Sequence, residues 1–312
     1  MTTRSPRAAR RPHQLTEHGD VRIDDYYWLR ERDNPEVRTY LDAENEYLRN
    51  ELSHTAVLQE RLYDEIKSRI KQTDMSVPYR DGAYRYYRRY EDGHEYPIYC
   101  RQLTDGAREH GREQVILDVN KLAAGHDYCD VGTLRVSHDM NVLAYSIDTV
   151  GRREYAICFR HLETGKEFDD VVRAVTANMV WAADNRTVFY VRHDPTTLRA
   201  YQVFRHALGT DVSQDVLVFE ERDETFSCAV ALSRSKEFVF VASCQTMTTE
   251  YHYLDLSSPE DAFTVFLPRE RGHEYEVDHF AGWFYIKSND KARNFRLMKT
   301  DDHRIAREHW TE

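Results

Sequence analysis

The sequence contains none of the glycine-spaced motifs that mark hydrolase or nucleotide-binding sites. No two of its twelve glycines are four positions apart, so the Gly-x-Ser-x-Gly turn that presents a nucleophilic serine is absent. No two are separated by a single residue, which excludes the Gly-x-Gly-x-x-Gly loop, and Gly165-Lys166 is followed by Glu167 instead of Ser or Thr. We therefore predict no catalytic residue and no cofactor-binding residue in this chain.

Two further patterns contain catalytic residue types at unsuitable spacing. Ser137, His138 and Asp139 are the three residue types of a serine triad, but adjacent side chains on an extended or turning backbone point in different directions. A turn before a strand explains them better, because Ser and Asp bond to local backbone there. His94-Glu95 and His273-Glu274 both lack the second histidine of the zinc-binding His-Glu-x-x-His pattern, so no metal site is predicted.

The dominant pattern is a repeated strand, turn, strand and turn. One copy runs from Gly132 to Gly165, with apolar strands at 143–146 and 155–159. The pattern recurs about every 45 residues, which is typical of β-propeller blades. Five copies can be counted, the fifth of them incomplete, and their leading strands fall at residues 84–87, 143–146, 187–191, 238–243 and 282–287. We predict a mainly β fold of about five propeller blades; an elongated β-solenoid is less favoured, because its repeats are shorter.

Before the repeats, the sequence has a helical pattern. Asn34 can cap a helix that begins at Pro35, and a second helix is predicted from near Thr55 to Lys71 because apolar residues recur at four-residue spacing. The helical period ends between Thr73 and Pro78. We therefore predict a helical extension at residues 1–75 and an incomplete propeller at residues 76–312.

Composition narrows the choice of partners and compartment. The net charge of −11 argues against a general nucleic-acid binder. No stretch approaches the roughly 18 apolar residues of a membrane span, and the arginines of the first dozen residues predict a disordered basic tail, not a secretory signal. The five cysteines are odd in number and lack Cys-x-x-Cys spacing, which favours free thiols in a reducing compartment, and hence the cytoplasm.

Several segments, in order along the chain, resemble the prolyl oligopeptidase family of serine peptidases. They are residues 24–29 (Asp-Asp-Tyr-Tyr-Trp-Leu), 117–120 (Leu-Asp-Val-Asn), 124–128 (Ala-Gly-His-Asp-Tyr) and 143–148 (Leu-Ala-Tyr-Ser-Ile-Asp). Within the family, residues 148–153, 189–192 with Asp194-Pro195, and 266–275 resemble the oligopeptidase B subfamily. The likeness covers nearly the whole chain after Arg11.

The resemblance implies a two-domain enzyme, with a seven-bladed propeller and an α/β-hydrolase domain built from a short N-terminal portion and a long C-terminal portion. It implies cleavage of short peptides after arginine or lysine, with the propeller limiting access to the active site. The family's triad, oxyanion hole and acidic pockets belong to the C-terminal portion, so none can be carried over to this chain. We therefore expect this chain to be the N-terminal part of such an enzyme and to be inactive by itself.

The same resemblance gives the N-terminal residues an expected role. Tyr26, Trp28, Leu29 and the apolar stripe of the helices are expected to dock on the hydrolase portion, with short basic peptides as the substrates of the intact enzyme. The alternative is a non-catalytic propeller that binds a protein or peptide partner. No cofactor, nucleic acid or membrane is expected as a partner.

Overall fold

A computed structural model of the chain describes residues 4–104 and 109–312. The chain divides into two compact units, Met1–Gln72 and Thr73–Glu312. Each unit is described by itself below.

The first unit combines a hairpin with two helices. Strands β1 (His13–Glu17) and β2 (Asp20–Asp24) pair in antiparallel register, and a 3-10 helix follows at Tyr27–Arg30. Helix α1 spans Pro35–Glu51, a 3-10 turn spans Ser53–Thr55, and α2 spans Ala56–Ser68.

Local chemistry explains where α1 begins. The Asn34 side-chain oxygen accepts a hydrogen bond from the Glu36 amide, and Pro35 occupies the first turn, as the sequence predicts. The hairpin was not predicted, because its alternation of polar and apolar residues is weak. The predicted disorder of the basic tail is wrong at its end, where the Arg11 amide donates to the Asp25 carbonyl at 2.8 Å.

The described residues of the second unit form five antiparallel sheets, each built from consecutive strands. The first sheet contains β3 (Tyr79–Asp81), β4 (Tyr84–Arg89), β5 (Ile98–Thr104) and β6 (Glu109–Asp118). The second sheet contains β7 (Asp130–Val136), β8 (Val142–Asp148), β9 (Tyr155–His161) and β10 (Glu167–Val175). The third sheet contains β11 (Met179–Trp181), β12 (Thr187–His193), β13 (Ala200–Ala207) and β14 (Val216–Glu220). The fourth sheet contains β15 (Ser227–Leu232), β16 (Phe238–Gln245), β17 (Thr248–Asp255) and β18 (Thr264–Leu267). The last contains β19 (Tyr275–Phe280), β20 (Trp283–Ser288) and β21 (Arg296–Asp301).

Short helical segments also lie among these sheets. Helix α3 (Val119–Ala123) follows the first sheet and is capped by the Asp118 carboxylate, which accepts from the Asn120 amide. Two 3-10 turns lie at Val212–Gln214 and Arg307–His309.

Apolar cores lie between successive sheets. Leu117 of the first sheet and Leu143 of the second share one core, and Phe159 of the second packs with Trp181 of the third. Equivalent cores join the third sheet to the fourth and the fourth to the fifth, where Phe240 and Phe284 meet. Sheets stacked face to face in chain order are the blades of a propeller-type domain. The predicted mainly β fold, with a helical segment before the blades, is confirmed.

Candidate functional site

A cavity of about 780 Å³ lies where the first strands of four blades approach one another. In every blade the first strand is the terminal strand of its sheet, so β3, β7, β11 and β15 each present an edge. Residues of all four strands line the cavity, including Tyr79, Leu134, Trp181 and Leu232. Its volume is within the ~300–1,000 Å³ of small-molecule and short-peptide sites.

Charged side chains in this cavity are mostly basic. Arg88, Arg135 and Lys236 line it, together with a single carboxylate, Asp81. Lys236 Nζ lies 2.5 Å from Asp81 Oδ1, so these two charges neutralise each other. The two arginines are exposed side chains on β4 and β7. We call the cavity with these residues the first-strand cavity.

Ser137 and His138 line this cavity, but with Asp139 they do not form a triad. The buried Ser137 hydroxyl donates to Asp139 Oδ1 at 2.5 Å and accepts from the Val142 amide at 3.0 Å. His138 Nε2 is 3.5 Å from the Trp181 carbonyl, so the imidazole is directed to Trp181 and not to Ser137 or Asp139. Partial burial opposes ionisation of Asp139, but hydrogen bonds from Ser137 and Asn141 outweigh it and lower the pKa of the carboxyl. The predicted turn before a strand is what the structure shows.

The aromatic residues predicted to dock a partner differ in accessibility. Trp28 is 7% exposed, and its indole Nε1 donates to the Ala9 carbonyl at 2.9 Å while the Arg11 guanidinium lies 4.4 Å above its ring. Tyr26 and Leu29 line a pocket of about 610 Å³ in the same unit. Trp28 therefore packs within its own unit, and the docking role of Tyr26, Trp28 and Leu29 stays a prediction.

A partly buried ionic network joins the third blade to the fourth and was not found from the sequence. Arg269 Nη2 lies 2.6 Å from Glu221 Oε2 and 3.0 Å from Glu250 Oε1, and its guanidinium lies over the Phe226 ring. Burial opposes ionisation of Glu221 and Glu250, but hydrogen bonds from Arg269 outweigh it and lower the pKa of both carboxyls. These three residues share no motif spacing, so no sequence signal connects them.

The cysteines offer no reactive thiolate. All five are free, and burial raises the pKa of Cys100 and Cys228 to about 12. Asp301, Asp302 and His303 bring three donor atoms within 4.8 Å, the one such group found among the described side chains of residues 4–104 and 111–312. Exposed acidic groups of this kind are common without a metal. In the same described part of the chain, no helix combines the length and apolarity that crossing a membrane requires.

Comparison with known proteins identifies relatives of the whole chain. Residues 6–312 match the family model described as prolyl oligopeptidase, N-terminal beta-propeller domain. The chain is 41% identical to dipeptidyl aminopeptidase BI of Pseudoxanthomonas mexicana, over 98% of this chain and 44% of that protein. It is 37% identical to protease 2 of Moraxella lacunata, over 94% of this chain and 43% of that protein.

Solved structures agree with this assignment. The structure of oligopeptidase B from Leishmania major superposes with a TM-score of 0.92 at 31% identity, covering 98% of this chain and 46% of that one. Oligopeptidase B from Trypanosoma brucei gives a TM-score of 0.88 at 30% identity and the same coverage. The chain thus spans less than half the length of these relatives.

Proposed function

This chain belongs to the prolyl oligopeptidase family, and we propose that it acts as the propeller part of a serine oligopeptidase together with an α/β-hydrolase portion. The observation that carries the proposal is the family match over residues 6–312. In this proposal, residues 1–75 form an extension that docks on the hydrolase portion. The blades at residues 76–312 control which peptides reach the active site.

The proposed substrates are short peptides cleaved after arginine or lysine. Support comes from the oligopeptidase B-like segments, such as residues 266–275, and from the close superposition on oligopeptidase B. The first-strand cavity supports a role in access control, because the edge strands that line it could pair with the backbone of an extended peptide. The five free cysteines support a reducing compartment, and hence the cytoplasm.

The proposed docking surface has an exposed apolar character. Leu58, Leu62 and Ile66 of α2 are 53%, 46% and 60% exposed, and they recur on one face of the helix. Tyr26 and Leu29 add to the apolar surface of the same unit. An apolar helix face of this kind is stabilised when a second surface covers it.

A second activity is favoured by one observation. The relative that is 41% identical is named as a dipeptidyl aminopeptidase, so release of dipeptides from a free N-terminus is the competing proposal. The two activities differ in their need for a free peptide N-terminus, which a substrate pair can test.

The experiment combines this chain with the C-terminal portion of the Pseudoxanthomonas mexicana relative, made separately. The substrates are a fluorogenic Arg-Arg peptide with a blocked N-terminus and a dipeptide reporter with a free one. We expect hydrolysis of the blocked peptide only when both parts are present. Cleavage of the free dipeptide reporter alone would favour the second activity.

The control replaces this chain with the relative's own N-terminal portion. If that control restores activity and this chain restores none with either substrate, the peptidase proposal is wrong. A non-catalytic binding propeller then becomes the better explanation.

A further inference from the structure

We infer that the first-strand cavity binds the C-terminal carboxylate of a short peptide through Arg88 and Arg135. The inference deepens the proposed function, on which the choice of a peptide ligand rests. It adds a way to select substrates by their chain end, independent of the residue at the cleavage site.

The first step is the charge of the cavity. Lys236 and Asp81 form a pair at 2.5 Å, which leaves Arg88 and Arg135 as the uncompensated charges among the lining residues. Among the residues whose side chains the structure describes, 4–104 and 111–312, no carboxylate forms an ion pair with either arginine. Two unpaired cations in one cavity are notable in a chain whose net charge is −11. A cleft lined by one sign of charge concentrates ligands of the opposite sign.

The second step is how these arginines are held. Arg135 Nη1 donates to the Leu134 carbonyl at 3.0 Å, which uses only one of its five donors. Burial raises the pKa of Tyr79, and the positive charge of Arg135 partly opposes that rise, so the two side chains are neighbours. Arg88 lies opposite Tyr99 in the β4–β5 register and interacts with its hydroxyl. Both guanidinium groups therefore keep N–H donors free for a carboxylate. Arginine binds a carboxylate through two parallel hydrogen bonds.

The third step is why the ligand is a peptide. Tyr79 is 64% exposed, and its ring stacks on Tyr86 with centroids 5.7 Å apart, which gives a flat surface for a side chain beside the arginines. The edges of β3 and β7 run along the same cavity, and a strand edge can pair with an extended backbone. Aromatic surface, strand edges and cations together match a peptide end better than they match an isolated inorganic anion.

The consequence concerns substrate size. A short peptide presents its free carboxylate close to every bond, whereas an internal loop of a folded protein does not. A carboxylate site in the first-strand cavity would therefore favour short free peptides over proteins.

The test measures binding to the 312-residue chain and requires no hydrolysis. A fluorescent peptide is prepared with a free C-terminal carboxylate and, at identical sequence, with a C-terminal amide, and both are titrated by anisotropy. We expect the acid to bind about tenfold more tightly than the amide, which is the effect of one charge-assisted contact. We expect R88Q and R135Q each to remove most of that difference.

The matched control is R222Q, because Arg222 pairs with Glu220 on an exposed surface and does not line the cavity. It should keep the acid preference. Equal affinity of acid and amide for the unmodified chain would overturn the inference, and this comparison holds even where a variant fails to fold. Displacement of the acid peptide by equimolar inorganic phosphate would also overturn it, by showing a general anion site. The binding assay does not measure peptidase activity. Its failure is therefore distinguishable from failure of the hydrolysis experiment that tests the proposed function.

Discussion

Among single residues, His206 lies between two carboxylates. Its imidazole is fully buried, with Nδ1 2.7 Å from Asp215 Oδ1 and Nε2 3.2 Å from Asp170 Oδ1. The Tyr190 hydroxyl donates to the other oxygen of Asp215 at 2.7 Å. Asp170 belongs to β10 and His206 to β13, so the cluster joins the second blade to the third.

This cluster predicts a pH-dependent stability. Burial favours the neutral imidazole, but bonds and charges from Asp215 and Asp170 outweigh it and raise the pKa of His206 above 6.5. A raised folded-state pKa means that the stabilisation is complete below pH 6.5 and is lost as pH rises through the folded value. We expect H206Q to reduce the fall in melting temperature that occurs as the pH rises above 6.5.

The control is H126Q, because His126 is an exposed residue outside the cluster. Its melting temperature should follow the unmodified chain across the same range. An unchanged pH dependence in H206Q would show that the buried cluster does not couple protons to folding.

At the residue scale, the sequence predicted local chemistry and missed distant partners. The turn at Ser137 and Asp139 and the Asn34 cap were predictable, because each depends on neighbours within five positions. Glu221 and Arg269 are 48 positions apart and meet only because two blades pack together. Spacing in one sequence has no signal for such a pair.

Among elements, Gly132 lies at a close approach between β7 and the connection from β10 to β11. A Cβ at this position would lie 2.5 Å from Ala177 Cβ and 2.9 Å from Tyr155 Cε1. Gly132 is on β7 and Ala177 lies in the connection between β10 and β11, so any side chain would push the two blades apart. We expect G132A to lower the free energy of unfolding by about 1–3 kcal/mol.

A double variant tests the named contact. Replacing Ala177 with glycine removes the atom nearest to the added methyl group, so G132A/A177G should be more stable than the sum of the single effects. Denaturant unfolding of the four proteins in this cycle gives the coupling energy. Strict additivity would place the strain elsewhere.

At the element scale, the middle strands of each blade were predictable and the outer ones were not. β8, β12 and β16 are apolar runs with turn residues on both sides, and the repeat was read from them. β3 and β11 are only three residues long, which is too short for an alternating pattern to be recognised in the sequence. β14 is largely exposed, so burial does not distinguish it. The predicted end of α2 at Lys71 was late, because the helix ends at Ser68 although Ile70 continues its apolar spacing.

For the whole molecule, exposed apolar side chains predict association. Leu58, Leu62 and Ile66 on α2, and Phe280 and Leu297 on the last blade, are each 46% exposed or more. Each large apolar side chain forgoes about 1.5–3 kcal/mol of burial, against a total stability of about 5–15 kcal/mol for a domain. We expect the isolated chain to bind a hydrophobic dye and to self-associate.

Two variants that change the net charge equally, by two positive charges, separate the apolar surface from the charge. L62K/I66K should reduce dye fluorescence and self-association, whereas D64K on the same helix should leave both unchanged, since Asp64 is already exposed. Dye binding and sedimentation velocity give the two readouts. A cooperative, monomeric chain that binds no dye would contradict this prediction.

The central claim is that the chain works as part of a serine peptidase. The most direct measurement is immunoprecipitation from the source cells with an antibody against the 312 residues, followed by labelling with a serine-reactive fluorophosphonate and assay on an Arg-Arg peptide. We predict a labelled species in the precipitate and hydrolysis that the same reagent abolishes. A precipitate that contains the chain but neither labels nor cleaves would contradict the account.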